Sequence, residues 1–278
     1  MTVFAVGFRK AIDNMPFQDR RSVSLLAGSK IAACALTVAC AVLAVGSSAR
    51  ASDTEVPAIV DHAARTFAQE TRGVVGFQRH SQTRIRGGPV SHSESSDSGF
   101  VMADGAYAKI KYERVVQDGN TFDAAKLDAR NSETNDKWSR GQVFFKEPYE
   151  QRYLADYSYT QVSKCADCAP GSVAVSYVAR VRDEQHGDGT MWIDSKSGHV
   201  LKSTYSPNVL PQHATWETAT ETGARALADL WYVTGIDEQY RGHIAFISGS
   251  ATFTTTFDHF RRFKSLKSAL EALDNSSL

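Results

Sequence analysis

Apolar residues between positions 54 and 71 recur at intervals of three and four. The residues that share this spacing are Ile59, Val60, Ala63, Ala64 and Phe67. Such spacing places them on one face of an amphipathic helix. Asp53 or Thr54 is a candidate N-cap, Pro57 fits the first turn, and Gly73 fits the end. We therefore predict one helix over residues 54–71.

Beyond residue 73 the period of the apolar positions changes to two, which is typical of strands with one buried face. The alternation is clear over residues 106–116, where Ile110 and Tyr112 share one side and Lys109 and Lys111 share the other. Strands are predicted over residues 74–80, 106–116, 142–145, 157–162, 173–182, 212–222 and 243–257. Residues 224–235 fit a helix and a strand equally well.

A β-hairpin is predicted over residues 190–205. Residues 190–194 form a short apolar strand, residues 195–198 form a turn, and residues 199–205 return as the partner strand. Gly198 can adopt the positive φ that such a turn requires.

Two polar segments interrupt the strand pattern. Residues 87–98 are predicted to be a polar loop or a long hairpin tip, and residues 118–140 a surface excursion. A short helix is predicted over residues 264–274. Because the strands follow one another without helices of crossover length, they indicate an antiparallel meander of the mainly β (α+β) class.

The N-terminal 51 residues have the pattern of an export signal. Basic residues at 20, 21 and 30 precede an uncharged run over 31–45, and an A-x-A cleavage site follows at 49–51. We predict a signal peptide over 1–51 and a single β domain over 52–278, exported to the periplasm or the extracellular space. An uncleaved anchor through 31–45, a twin-arginine signal at Arg20–Arg21 and lipidation of Cys34 stay open as alternatives.

Charge and cysteine content narrow the function classes. The chain has 31 basic and 31 acidic residues, so it lacks the clustered excess of Lys and Arg that is typical of nucleic-acid binders.

Of four cysteines, Cys165 and Cys168 form the one C-x-x-C that follows the signal. An oxidising compartment favours a disulfide between them, and a redox pair or a metal site with outside ligands stays open.

Motifs that carry chemistry are absent from the sequence. None of the eight histidines lies in H-E-x-x-H, and no G-x-S-x-G is found. We predict no metal, no cofactor and no catalytic residue, and therefore a protein that is not an enzyme. A hydrolase that assembles its site from distant loops, with His186 and Asp188, is the least favoured alternative.

The predicted hairpin carries a W-I-D-x-x-x-G-x-V pattern, formed by Trp192, Ile193, Asp194, Gly198 and Val200. With the export signal, the first helix and the strand meander, it resembles the periplasmic outer-membrane lipoprotein carrier and sorting superfamily. That superfamily includes a lipoprotein chaperone, its receptor and an envelope-stress regulator. The resemblance implies a curved antiparallel half-barrel with helices on its concave side. The segment 118–140 and the C-x-x-C loop depart from the family pattern.

The resemblance also implies a ligand. A concave cavity would hold a lipid or acyl chain, with a lipoprotein or envelope protein as the partner, and the helices would serve as a lid. We expect Trp192, Tyr205 and Phe253 to line this cavity, and the alternative is that the aromatic residues fill a core. A sensor domain of the same fold that binds a protein partner is the second functional hypothesis. Contact with the membrane is expected only through an uncleaved signal.

Overall fold

The computed structural model describes residues 56–87, 90–140, 145–163, 165–210, 214–244 and 247–278. The predicted export signal, its alternatives, and the candidate caps Asp53 and Thr54 lie outside these residues. In the described part of the chain, Pro57 occupies the N-cap of the first helix without a side-chain capping bond.

The described residues form one antiparallel sheet of eleven strands. The strands are β1 Val74–Gly87, β2 Val90–Ala103, β3 Ala106–Gln117, β4 Asn120–Thr121, β5 Tyr157–Gln161, β6 Ser172–Ala179, β7 Gly187–Asp194, β8 Val200–Pro207, β9 Ala214–Leu227, β10 Leu230–Ile244 and β11 Ile247–Phe263. Their order in the sheet is β4-β3-β2-β1-β11-β10-β9-β8-β7-β6-β5. Strands β4 and β5 are the two edges, so the sheet is an open half-barrel, as predicted.

Three α-helices accompany the sheet in the described residues. They are α1 Ala58–Glu70, α2 Ala124–Ser139 and α3 Leu266–Asp274, and a 3₁₀ helix spans Gln151–Asp156. Because β4 and β5 are consecutive in the chain but lie at opposite edges, the segment 122–156 that joins them must run from one edge of the half-barrel to the other. This segment, called the strap below, carries α2 and the 3₁₀ helix.

Helix α1 packs on what we call the inner face of the sheet. Its Val60 and Ala63 are buried against Met191 and Ile193 of β7. At its C-terminal end, the Glu70 carboxylate accepts a hydrogen bond from the backbone N–H of Trp231 at 2.6 Å and lies 2.9 Å from His199 Nε2. The predicted helix is therefore confirmed, and both of its ends are fixed to the sheet.

The β7–β8 hairpin is confirmed, and its turn explains the D-x-x-x-G pattern. The Asp194 carboxylate accepts hydrogen bonds from the backbone N–H and the hydroxyl of Ser197, each at 2.7 Å. These bonds lower the pKa of Asp194. Gly198 has φ +77°, and a Cβ there would lie 2.7 Å from Thr66 Oγ1. Only glycine therefore allows this turn to approach α1 so closely.

Helix α3 packs on the outer face of the sheet. Its Ala269 and Leu273 are buried against Val101 of β2, whereas Phe100 and Met102 point to the inner face. A Cβ at Gly99 would lie 2.6 Å from Leu273 Cδ1, so a glycine makes room for the helix. The C-terminal helix thus exists as predicted, but it cannot serve as a lid on the inner face.

The segment 118–140 is not the irregular excursion that its polar composition predicted. It contains β4 and helix α2, whose Asp123 caps Lys126 N–H at 2.9 Å. Two asparagines of α2 bind the edge strand β3. Asn131 bonds both backbone groups of Tyr112 at 2.6 and 3.2 Å, and Asn135 bonds both of Ile110 at 3.1 and 2.9 Å. Asn131 and Asn135 therefore attach this helix together with the apolar Leu127 and Trp138, and hydrophobic periodicity does not reveal the two polar contacts.

We expect the double substitution Asn131→Ala and Asn135→Ala to lower the free energy of unfolding by about 2 kcal/mol, since four modest hydrogen bonds are lost and water replaces them. It should also increase concentration-dependent self-association, because it uncovers part of an edge strand. Urea denaturation and sedimentation velocity measure the two effects. Ser132→Ala, exposed on the same helix, is the matched control. An unchanged stability of the double variant would contradict this role of α2.

Of the two alternatives for the polar segment 87–98, the hairpin is confirmed, because β1 and β2 pair up to Gly87 and Val90, and the loop is wrong. Residues 90–98 belong to strand β2, which pairs with β1 and β3 on its two sides. Its Ser96 and Ser98 are buried in the sheet. Serine and acidic residues are poor strand formers, so the composition indicated a loop, but two neighbouring strands impose the extended conformation.

Several strand limits differ from the predictions. Strand β6 ends at Ala179, so Val181 is exposed rather than buried. Residues 224–235 are strand on both sides of a turn, and 243–257 spans the end of β10 and the start of β11. Within β11 the alternation is confirmed, with Ala251 and Phe253 buried and Thr252 exposed. Residues 142–144 and Ala245 lie outside the described residues.

Candidate functional site

A cavity of about 210 Å³ lies between the inner face of the sheet and its covering segments. The sheet supplies residues of β1, β2, β3, β9, β10 and β11, and the cover consists of Phe67 on α1 and residues of the strap. The lining comprises Phe67, Arg79, Phe100, Gly105, Ala106, Tyr107, Trp138, Phe145, Glu147, Tyr149, Glu150, Arg152, Tyr153, Glu221, Tyr232, Val233, Ile236, Glu238, Phe253, Thr255 and Phe257. Aromatic residues and carboxylates dominate this set.

Aromatic rings form a continuous wall. Phe67 stacks on Tyr232 with ring centroids 6.2 Å apart and meets Tyr149 edge-on at 5.4 Å. The hydroxyls of Tyr232 and Tyr107 are hydrogen-bonded at 2.8 Å, and Tyr107 lies 5.5 Å from Trp138. The wall thus joins α1, the sheet and the strap, and it offers flat apolar surfaces to a ligand.

Carboxylic acids form a second wall, called the acidic wall below, which consists of Glu147 of the strap, Glu221 of β9 and Glu238 of β10. Glu221 is 3% exposed, and its Oε2 atom has no hydrogen-bond partner among the described residues. The Oε2 atom of Glu147 is also buried, and it also has no hydrogen-bond partner among the described residues. Burial raises the pKa of Glu221 to about 7, and burial together with the charge of Glu221 raises the pKa of Glu147 well above its usual range. The two side chains are close enough to share a proton.

A second carboxylic pair adjoins the first. Glu238 of β10 lines the cavity, and Glu217 of β9 lies beside it and accepts a hydrogen bond from the Tyr240 hydroxyl at 2.8 Å. Burial, followed by the charge of Glu238, raises the pKa of Glu217 to about 9. Burial also raises the pKa of Glu238. Near neutral pH these paired groups therefore hold protons that exposed glutamates would have lost.

Two cations belong to the lining. Arg152 forms an ion pair with Glu150, with its Nε 2.7 Å from Oε2. The Arg79 guanidinium lies 4.9 Å from the centre of the Phe100 ring and 5.3 Å from that of Tyr112. Burial acts to raise the pKa of Tyr112, but the charges of Arg79 and Arg130 outweigh it and lower that pKa. The cavity therefore has an acidic side and a separate basic corner.

The three predicted cavity residues occupy different places. Phe253 lines the cavity. Tyr205 is buried on the inner face, but it stacks on Phe145 at 3.9 Å and is not among the lining residues. Trp192 lies between the inward-facing Met191 and Ile193, so its indole is on the outer face, 5.0 Å from Lys202 Nζ. The expectation for Trp192 is thus corrected, because a residue one position along a strand faces the opposite side.

Sequence reasoning missed the acidic wall. A signal for part of it was present, since Glu217, Ala219 and Glu221 alternate with exposed or half-exposed polar residues along β9. Because side chains at alternate positions of a strand share one face, Glu217 and Glu221 must point to the same face as Ala219. If Ala219 is known to face inward, both carboxylates are predicted to face inward as well. Glu147 lies on the strap, where no periodicity exists to reveal it.

Cys165 and Cys168 are joined by a disulfide in the loop between β5 and β6. Neither cysteine belongs to the cavity lining. The loop is followed by the turn at Gly171, whose carbonyl accepts a hydrogen bond from the Ser195 hydroxyl at 2.6 Å. The disulfide therefore closes a short loop beside the β7–β8 turn.

A buried histidine–carboxylate group exists, but it does not lie in the cleft that a hydrolase would need. His186 is fully buried, with Nδ1 2.7 Å from Asp183 and Nε2 3.3 Å from Asp156. Both ring nitrogens therefore face carboxylates, and neither is left to accept a proton from a nucleophile. Asp188 accepts a hydrogen bond from the Ala179 N–H at 2.9 Å and stabilises the strand end.

One further cluster brings together residue types that bind metals. His80, Asp258 and His259 lie close together on an exposed part of β1 and β11. However, His80 is already held by Asp97 at 2.8 Å and Asp258 at 3.3 Å. The hydrogen bond with Asp97 raises the pKa of His80. The group is explained by surface ion pairing, and we assign no metal to it.

The comparisons with known proteins bear on the fold. No protein family and no curated protein matches the sequence. The fold is similar to an outer membrane lipoprotein-sorting protein domain from Vibrio parahaemolyticus, at 10% identity and a TM-score of 0.40, over 78% of this chain and 96% of that one. It is also similar to a LolA superfamily protein from Nitrosomonas europaea, at 7% identity and a TM-score of 0.39, over 79% and 99%.

A third similar structure is a DUF1329 family protein from Desulfovibrio piger, at 10% identity and a TM-score of 0.37, over 78% of this chain and 98% of that one. The likeness to these structures concerns the fold alone. In the described residues, none of the helices combines the length and apolar character needed to cross a bilayer.

Proposed function

We propose that this chain is a non-catalytic binding protein of the cell envelope, and that it holds a lipid or acyl chain in the inner-face cavity. The observation that carries the proposal is the cavity itself, which aromatic residues of α1, the sheet and the strap enclose. A filled core would leave no such volume between the sheet and its covering segments. Export through residues 1–51, with a domain over 52–278, is part of the same proposal.

The energetics favour an apolar ligand in this place. Each methylene moved from water into an apolar site contributes about 0.8 kcal/mol. The cavity, at about 210 Å³, is smaller than the roughly 300–1,000 Å³ of sites that enclose a whole drug-sized ligand. We therefore expect it to hold one end of a chain.

We expect Phe253→Asp to abolish uptake of a neutral acyl ligand, because the substitution places a charge on the cavity lining. Thr252→Asp is the matched control, since it adds the same charge one residue away on the exposed face of the same strand. Displacement of a fluorescent apolar probe by monodecanoylglycerol measures uptake, and circular dichroism verifies that both variants are folded.

Equal displacement by the wild type and both variants would show that the chain binds elsewhere and would contradict the proposal. Absence of displacement from the folded wild type would contradict it as well, and would favour the second hypothesis, a sensor domain whose partner is an envelope protein.

A further inference from the structure

The acidic wall of the cavity, formed by Glu147, Glu221 and Glu238, serves no purpose in a site built only for hydrocarbon. A buried carboxylate costs free energy unless hydrogen-bond donors or cations satisfy it. Yet Glu221 Oε2 and Glu147 Oε2 have no donor among the described residues, and Arg152 is engaged by Glu150. Donors for these two atoms come from a proton shared between them, from water or from an incoming ligand, and a ligand with several N–H groups can satisfy both atoms at once.

We propose that the cavity selects amphiphiles whose head carries an ammonium group, which binds Glu147, Glu221 and Glu238 while the chain lies along the aromatic wall. This inference rests on the proposed function and adds the class of head group to it. A primary ammonium supplies three N–H donors and a positive charge, which match acceptor atoms that lack partners. The rings of Tyr149 and Tyr232, which also line the cavity, add cation–π attraction.

The same wall disfavours other heads. A fatty acid would place a carboxylate against like charges, which costs free energy in a buried site. An alcohol or ester would satisfy one acceptor but would bring no charge. Arg79 is the cation that could attract an anionic head, but it lies against Phe100 and Tyr112 at another corner of the lining. The cavity should therefore rank ligands of equal length as ammonium first, alcohol second and carboxylate last.

Binding of an ammonium should release a proton. The titratable and charged groups that face the wall are Arg79 from β1, Tyr107 from β3, Glu147, Tyr149, Glu150, Arg152 and Tyr153 from the strap, Glu217 and Glu221 from β9, and Tyr232, Glu238 and Tyr240 from β10. Among them Glu221 is the group that exchanges its proton near neutrality, because burial raises its pKa to about 7, whereas burial raises the pKa of Glu217 to about 9. An ammonium replaces that proton, so its affinity should rise between pH 6 and pH 8.

Isothermal titration of the full chain with decylammonium, decanol and decanoate, each below its micellar concentration, tests the inference. We expect decylammonium to bind about tenfold more tightly than decanol at pH 8, the ratio that one hydrogen bond to a charged group provides. Titration in buffers of different ionisation enthalpy should show proton release for decylammonium. In Glu147→Gln/Glu221→Gln the preference and the proton release should both disappear, and in the exposed control Glu271→Gln on α3 both should persist.

The outcomes separate this inference from the proposed function. If decanol or decanoate binds as tightly as decylammonium, or if the double variant keeps the preference, the head-group inference is wrong and the acyl-binding function stands. If none of the three binds to the folded protein, the proposed function fails and the inference fails with it.

Discussion

Glu217→Gln is expected to stabilise the protein by a few kcal/mol at pH 8 and to change its stability little at pH 5. The pKa of Glu217 is about 9 in the folded chain and 4.5 when unperturbed. Between these values the folded state holds a proton that the unfolded state has released. Stability therefore falls as the pH rises through this window, by up to about 1.4 kcal/mol per pH unit for each such group. Glutamine is neutral in both states and removes this loss.

The wild type should accordingly be most stable in weak acid, because Glu147, Glu221 and Glu238 shift in the same direction. Urea denaturation at pH 5, 6.5 and 8 gives the slope for the wild type, for Glu217→Gln and for Glu271→Gln. Glu271 is exposed on α3, on the outer face of the sheet, so its variant should keep the slope of the wild type. A wild type whose free energy of unfolding is constant or increases from pH 5 to pH 8 would show that these carboxyl groups are not buried as described.

Gly189→Ala is expected to destabilise the protein by about 3 kcal/mol or more, or to prevent folding, which is the upper part of the range for overpacked sites. A Cβ at residue 189 would overlap the backbone carbonyl oxygen of Thr204, and it would lie 2.8 Å from the Tyr177 hydroxyl. Thr204 is paired with Thr190 in the β7–β8 ladder, so its backbone cannot move away without breaking that pairing.

Gly235→Ala provides the control, because a Cβ there would come no closer to any atom than 4.0 Å, at the carbonyl oxygen of Thr255. Since alanine also restricts the unfolded chain, this variant should lie within about 1 kcal/mol of the wild type. Thermal and urea denaturation compare the two variants. If Gly189→Ala were as stable as Gly235→Ala, the close approach of β7 and β8 at residue 189 would be wrong.

The elements that the sequence predicted well are those in which local chemistry and burial agree. Helix α1 has an apolar stripe at helical spacing and is buried along that stripe. The β7–β8 hairpin combines alternating apolar residues with Asp194, which accepts the turn's hydrogen bonds, and Gly198, which adopts a positive φ. Each of these signals acts within a few residues, so a single sequence contains it.

The elements that the sequence hid are those in which tertiary contacts decide. Strand β2 is rich in serine and is extended because β1 and β3 pair with it on both sides. Helix α2 has little apolar surface and is attached through Asn131 and Asn135 to the edge of β3. The partners in both cases are set by the fold, so no local pattern reports them.

The residues of the cavity also fall into two groups, those that strand alternation predicts and those that only the fold brings together. The inner face of Phe253 was predicted because the alternation in β11 is regular, and the face of Trp192 was wrong because its position in β7 was not taken into account. The acidic wall requires strap and sheet to meet, since Glu147 and Glu221 are 74 positions apart in the sequence. The sequence therefore predicted a concave apolar cavity. The buried carboxyl groups of its lining became visible only in the fold.

Native mass spectrometry of the protein purified from an exporting host, with extraction of whatever copurifies, tests the central claim most directly. The account predicts a bound lipid or other apolar chain in near-stoichiometric amount, present in the wild type and in Thr252→Asp and lost in Phe253→Asp. A folded wild type with a clean unliganded mass that takes up no added acyl ligand would contradict it.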